Sequence, residues 1–269
     1  MNCTAAAGTT IESRTILGVR VDATSYQHAT EQIINWASSG PARYVSLCTV
    51  NQIMEARDSP AYAQIMREAD LVTSDGMPLV WLLRRLGIPG ATRVYGPDLM
   101  PLVLHAAARQ GVPVGFYGGS TTVLNRLVHL ARNQFRDLQI AYAEAPPFRA
   151  VTPEEDECSV RSLNASGARI LFVGIGSPKQ ERWMHAHRDR VHCVMIGVGA
   201  AFDFLTGAKS QAPSWMQRNG LEWLFRLLSE PARLWRRYLL QNPRFVALVT
   251  SELTWRALQR AGTRFISAF

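Results

Sequence analysis

Short apolar runs recur at intervals over the first 200 residues, each separated from the next by a stretch with helical periodicity. That alternation constrains the fold more than any other feature. The runs are TILGVRVDA (15–23), RYVSLCTV (43–50), DLVTS (70–74), VPVGFYGG (112–119), ARILFVGIG (168–176) and VHCVMIGVG (191–199). LQIAYAEAPPF (138–148) adds a further strand and loop. Near-continuous apolar strands that alternate with helices are buried on both faces, so the expectation is an α/β fold with a mostly parallel sheet and helices on each side.

The intervening helices carry their own punctuation. SYQHATEQIINWASS reads as a helix capped by Ser25 or Thr24, and Ser120 stands before a helix over TTVLNRLVHLARNQF. Thr152 is followed by Pro153 at N1 and Glu155 at N3, which is the pattern of a capping box. QIMEARDSPAYAQIMREA, MPLVWLLRRLG, GPDLMPLVLHAAARQG and KQERWMHAHRDR read as helices, with Gly87 and Gly111 at C-terminal ends. In such sheets ligands sit beyond the carboxyl ends of strands, where the strand order reverses. Five segments qualify: Thr49–Asn51, Asp75–Gly76, Gly118–Ser120, Gly174–Gln180 and Gly197–Asp203.

After Pro213 the pattern changes. The last fifth of the chain has no strand signal and reads as two or three helices broken at Pro231 and Pro243. It also holds much of the charge. The chain carries a net +8, and the stretch from Pro213 onward has nine arginines, no lysine and three glutamates, a net +6. Four of the seven tryptophans are there as well: Trp215, Trp223, Trp235 and Trp255. The expected organisation is a catalytic domain over 1–212 and an Arg/Trp-rich helical appendage over 213–269. Arginine beside tryptophan and leucine suits an anionic surface with an apolar layer beneath it, which makes a membrane face the expected partner. A nucleic-acid partner would place its basic residues along a groove or a known motif, and here they lie in an apolar-rich tail.

Several chemistries are excluded or narrowed by spacing. The cysteines, Cys3, Cys48, Cys158 and Cys193, have no C-x-x-C pair and read as reduced thiols. The N-terminus lacks a basic region followed by an apolar core, and the longest apolar stretch falls well short of the ~20 residues that span a bilayer. A cytoplasmic protein that can lie on a membrane is expected. His185 and His187 sit two apart in a predicted helix and face different ways, so no shared metal is expected. GIGSPK (174–179) places Lys179 where a dinucleotide fingerprint needs a third small residue, which argues against a nicotinamide cofactor. The glycine turns Gly118–Gly119–Ser120 and Gly174–Ile175–Gly176 could instead let backbone N–H groups approach a phosphate, or could simply be turns.

Asp75, directly after a strand, could accept a proton from a hydroxyl or could be a turn residue. Thr49 and Asn51 offer neutral donors and acceptors suited to sugar hydroxyls, and Asp203 is a third strand-end candidate. No DxD-type acid pair stands at a strand end. A departing diphosphate would then have to be neutralised by helix N-termini or arginines, for which Arg226, Arg233, Arg236 and Arg237 are available.

The segments TVNQIMEAR, ADLVTSDGMPLVW, RVYGPDLMP, FYGGS, GSPKQERWM, GVGAAFDFLTG and APSWMQRNGLEWLFRLLSEPARLWRRYL occur in this order. Together they resemble the WecG/TagA/CpsF family of glycosyltransferases over roughly residues 15–245. The resemblance implies a Rossmann-like core that inverts the donor sugar without a bound metal or other cofactor. It implies a UDP-sugar donor, a polyprenyl-diphosphate-linked sugar acceptor and a place on the inner face of the plasma membrane. Donors in the family include UDP-N-acetylmannosamine, its uronic acid and UDP-glucose, the last in exopolysaccharide members of the xanthan type. By the same resemblance Asp75 is the base. Thr49 and Asn51 match the T-x-N motif, Gln180 the glutamine of PKQE, and Arg226, Arg233, Arg236 and Arg237 the arginines thought to close over the site. Two other readings remain open at this point: a noncatalytic scaffold of a polysaccharide assembly complex, and pairing of the apolar tail with a second copy of the chain.

Overall fold

The computed structural model describes residues 11–266. Cys3 and the N-terminal residues before Ile11 lie outside it.

The core is one eight-stranded sheet in the order β1-β2-β4-β3-β8-β7-β5-β6. Its strands are β1 (Ser13–Ile16), β2 (Val19–Asp22), β3 (Arg43–Cys48), β4 (Leu71–Ser74), β5 (Val114–Gly118), β6 (Ile140–Glu144), β7 (Ile170–Gly174) and β8 (Val194–Gly197). Only β1 and β2 pair antiparallel, and all other neighbours are parallel. The expected mostly parallel α/β sheet is therefore what forms. The run 15–23 is not one strand, however. Leu17 and Gly18 both take positive φ, 47° and 89°, and make a two-residue turn that folds the run into a hairpin.

Helices cover both faces: α1 (Tyr26–Ser39), α2 (Val50–Asp58), α3 (Pro60–Glu68), α4 (Met77–Arg85), α5 (Gly96–Gln110), α6 (Thr121–Gln134), α7 (Pro153–Ser166) and α8 (Lys179–His187). The capping residues behave as their chemistry predicts. Ser25, Ser120 and Thr152 each accept a backbone N–H three residues on, and Glu155 completes the box at Thr152. The stretch 52–69 is two helices, because Ser59 caps a new helix whose N1 residue is Pro60. Two apolar clusters fill the space between sheet and helices. One contains Tyr44, Ile53, Leu79 and Val173; the other contains Val45, Leu99, Phe116 and Phe202.

The remainder is helical: α9 (Ala201–Leu205), α10 (Ser214–Arg218), α11 (Glu222–Ser229), α12 (Pro231–Trp235), a π-helical turn over Arg236–Leu240 and α13 (Gln241–Ile266). Pro231 starts a helix, as expected, but Pro243 breaks nothing. It lies in the first turn of α13, directly after the π turn. That wider turn sits where the proline ring would otherwise press on the carbonyl of Leu239. Phe245 and Val249 of α13 are buried in the same cluster as Ile16, Ile53 and Leu83, so this helix is anchored on the sheet side of the molecule. No described helix is long and apolar enough to cross a membrane.

Candidate active site

Strand order turns at β3. From there β4 and β2 lie to one side, while β8, β7, β5 and β6 lie to the other. The carboxyl ends of β3, β4, β7 and β8 therefore open onto one crevice. Thr49 follows β3 and is the N-cap of α2, which places Asn51 in the first turn. Asp75 follows β4, Gly176 lies beyond β7, and Gly199 lies beyond β8.

Two adjoining clefts occupy the crevice, with about 710 and 670 Å³ of space. Thr49, Asp75, Tyr95, Arg226 and Arg237 line both, so these five residues mark where the clefts meet. The first cleft continues along Asn51, Met77, Pro78, Trp223, Tyr238 and Asn242. The second continues along Gly176, Ser177, Gln180, Gly199, Phe204 and Arg233.

Asp75 is held by its own backbone and by Arg93. Its N–H donates to the Cys48 carbonyl at 2.9 Å, which fixes the turn. Arg93 Nε donates to the Asp75 carbonyl oxygen, and Arg93 Nη2 stands 3.5 Å from the carboxylate Oδ1. The same Nη2 makes a closer pair, 2.6 Å, with Glu222 of α11. The guanidinium lies over the Tyr95 ring at 4.0 Å. Burial pushes the Asp75 carboxyl up to about 7. The nearby Arg93 charge opposes that shift, and the negative Glu222 adds to it. A carboxylate poised near neutrality is matched to taking and returning a proton at ordinary pH.

Thr49 is tied into a buried polar chain. Its N–H and its hydroxyl both donate to Gln52 Oε1, at 2.8 and 2.7 Å. Gln52 Nε2 donates to Glu181 Oε1 at 3.1 Å, and Gln180 Nε2 donates to the same oxygen at 2.8 Å. Tyr62 donates its phenol proton to Glu181 Oε2 at 3.1 Å. Gln180 Oε1 accepts the Gly199 N–H at 3.0 Å. Glu181 is fully buried, and desolvation raises its pKa above the ordinary carboxylate value. It fixes both glutamines and, through Gln52, the side of Thr49 that faces the clefts. Gly197 makes room for this: a Cβ there would stand 2.8 Å from Gln180 Nε2.

The C-terminal helices roof the crevice. Arg237, on the π turn, reaches Thr49 Oγ1 with Nη2 at 3.4 Å, while its Nε is buried without a partner. Burial lowers the pKa of this guanidinium. An enclosed cation with an unpaired N–H at the junction of two clefts suits an anionic ligand. Arg226 packs over Phe204 at 5.9 Å, and Arg233 pairs with Glu230 at 2.7 Å. Glu230 is tied in turn to Lys209, which also faces Asp203.

The structure thus brings Thr49, Asn51, Asp75, Gly176, Gln180, Arg226, Arg233 and Arg237 to the clefts. It leaves the other sequence candidates outside. Arg236 points away, over the Trp235 ring at 5.2 Å, and Lys179 is exposed. Gly118 packs against Gly174, and Gly119 donates its N–H to the Gly174 carbonyl at 3.2 Å. A Cβ on Gly118 would lie 2.5 Å from the Gly174 carbonyl carbon, and one on Gly174 would lie 2.8 Å from the Phe202 ring. The Ser120 hydroxyl is used as a helix cap. His185 and His187 pair with Glu68 and Asp156 respectively, in keeping with their different faces.

Five residues of this site carry no sequence assignment: Gln52, Arg93, Tyr95, Glu181 and Glu222. Glu181 adjoins Gln180 in the polar run SPKQER, where nothing local sets it apart as a buried site residue. Arg93 and Tyr95 stand before GPDLMP, a segment with no strand-end pattern. Glu222 lies 147 positions from Asp75 in sequence, and nothing local joins them.

A model of the glycosyl transferase WecG/TagA/CpsF family matches the chain over residues 14–259, which includes every residue of both clefts.

Proposed function

The chain belongs to the glycosyl transferase WecG/TagA/CpsF family, and from that premise we propose that it transfers a hexose or N-acetylhexosamine, or its uronate, from a UDP-sugar to a polyprenyl-diphosphate-linked sugar, with inversion. It is a glycosyltransferase of cell-surface polysaccharide synthesis. The observation that carries the finer reading is Asp75: a partly buried carboxylate raised to about 7, at the meeting point of two clefts, opposite an arginine with an unpaired N–H.

In this reading the donor occupies the second cleft and the acceptor sugar the first. Asp75 takes the proton of the acceptor hydroxyl as its oxygen attacks the anomeric carbon. The bond from that carbon to the β-phosphate oxygen breaks, and UDP leaves with the electron pair. One displacement inverts the centre. Arg237, Arg226 and Arg233 offset the charge gathering on the diphosphate. The Thr49 hydroxyl already donates to Gln52, so its oxygen is left to accept from Arg237 or a sugar hydroxyl. Asn51 and the second Nε2 proton of Gln180 are free to orient sugar hydroxyls.

The acceptor's lipid stays in the bilayer, so the protein works at the inner membrane face. Exposed Trp235, Leu239, Leu240, Val246 and Trp255 stand along α12, the π turn and α13 with exposed Arg236 among them, which suits shallow insertion beside anionic headgroups.

The test is UDP release from a panel of UDP-glucose, UDP-N-acetylmannosamine and its uronate, with a detergent-solubilised polyprenyl-diphosphate-linked sugar. Acceptor-dependent release from one donor, reduced about 10²–10⁴-fold in Asp75→Asn, is expected. Release unchanged in Asp75→Asn removes the mechanism. No release from any donor favours a noncatalytic scaffold.

A further inference from the structure

Arg93 is shared between two carboxylates that come from opposite ends of the chain. Asp75 belongs to the sheet and Glu222 to the helical roof. Both point at one nitrogen, Arg93 Nη2, yet the distances are unequal: 2.6 Å to Glu222 and 3.5 Å to Asp75. Arg93 Nε is meanwhile spent on the Asp75 backbone carbonyl, and the plane of the guanidinium lies against the Tyr95 ring. The guanidinium is thereby fixed in orientation. Its position along the line between the two acids is set by the carboxylate it approaches more closely.

Glu222 is the first residue of α11, directly after the turn that Gly220 makes with φ 69°. That turn is itself seated on the sheet side, since a Cβ on Gly220 would stand 2.6 Å from the Trp81 ring. The carboxylate is therefore delivered to Arg93 by a built contact between α4 and the roof.

We propose that Arg93 and Glu222 are a positioning pair for Asp75, in which Glu222 holds the guanidinium off the Asp75 carboxylate so that its oxygen stays available to a substrate hydroxyl. This rests on Asp75 acting as the base. An arginine free to swing fully onto Asp75 would form the usual close carboxylate pair, occupy the proton-accepting oxygen and make it a weaker base. An arginine removed altogether would leave two acids facing each other across the junction. Glu222 prevents the first outcome and Arg93 the second. The other groups facing Asp75 are Arg226 of α11, Arg237 of the π turn, Tyr95 and the buried Cys48; of these Tyr95 joins the pair, through a side-chain hydrogen bond to Glu222 that helps hold that carboxylate in place.

The pair predicts opposite responses to two substitutions. Glu222→Gln keeps the shape, removes the competing charge and lets Arg93 close on Asp75, so Asp75 titrates about one pH unit lower. Arg93→Gln removes the cation, so Asp75 titrates about one unit higher. The measurement is a ¹³C carboxyl titration by NMR on full-length protein carrying labelled aspartate, with the Asp75 signal assigned by its loss in Asp75→Asn. It needs no substrate, so it stands apart from the identity of the donor. Each variant decides on its own if the other does not fold: a downward shift in Glu222→Gln or an upward shift in Arg93→Gln supports the pair. A titration unmoved in either folded variant, or shifted the other way, overturns it. The acidic limb of kcat/KM for UDP release should move with the NMR value in each variant, which a merely structural tether would not produce. A limb that is insensitive to Asp75→Asn would instead overturn Asp75 as the base, and the two failures remain distinct.

Discussion

Asp75 shows how one position can cost stability and still suit chemistry. Its pKa rises from 3.8 to about 7 on folding, mainly through burial. The native state therefore holds its proton more tightly than the unfolded chain between those values. Stability from this group falls as pH rises through that window, and the full cost is present above about 7. Asp75→Asn should accordingly unfold at higher urea than the native sequence at pH 8, with the difference vanishing below about pH 4. A midpoint gap that stays the same at both pH values would mean the carboxyl is not held as described. Arg237 makes a second residue-scale prediction. Its planar guanidinium reaches Thr49 and keeps an N–H unpaired, and a lysine cannot reproduce that fork. Arg237→Lys should raise KM for the UDP-sugar about tenfold or more, with the fold intact by circular dichroism.

Much of this scale was legible in the sequence, because strand ends and caps are local. Thr49, Asn51 and Asp75 could be picked as strand-end residues, and the resemblance assigned Gln180 a role. The glycine turns are harder to read. Gly118, Gly119 and Gly174 have the form of a phosphate loop, yet Gly118 is also required by its contact with the neighbouring strand and Gly174 by the Phe202 ring, which only the sheet order and the packing of α9 reveal. Glu181 and Glu222 were not legible as site residues. One is a buried acid satisfied by glutamines from two helices, and the other meets its partner only after the roof has docked.

At the scale of elements, the pairing of β5 with β7 and the docking of α13 carry the clearest consequences. Gly118 has φ 132° and lies against the Gly174 backbone, so Gly118→Ala adds both strain and a clash with atoms that cannot give way. A loss of about 1–3 kcal/mol in urea unfolding is expected. Phe245 ties α13 into the main apolar cluster. Phe245→Ala should cost about 3–5 kcal/mol, unless α13 detaches independently, in which case proteolysis would release it before the sheet unfolds. Helix number in this region could not be read from the sequence, since Pro231 begins a helix whereas Pro243 is accommodated by a π turn.

For the whole molecule, the sheet's turning point and the roof together make the site, and neither alone encloses it. Asp75 belongs to the sheet, whereas Arg226 and Arg237, lining both clefts, belong to the roof. The exposed Trp235, Leu239 and Leu240 lie on the same roof. Vesicles containing anionic phospholipid should therefore capture the protein more strongly at low salt, and Leu239→Glu with Leu240→Glu should release it without weakening UDP-sugar binding. Capture that is indifferent to both salt and these substitutions would separate the roof from the membrane.

The central claim is that Asp75 removes the acceptor proton during glycosyl transfer. The pH dependence of kcat/KM for acceptor-dependent UDP release tests it most directly. The account predicts a rise with pH through an apparent pKa near 7 in the native sequence, and a small residual rate without that limb in Asp75→Asn. The same limb persisting in Asp75→Asn at undiminished rate would contradict it.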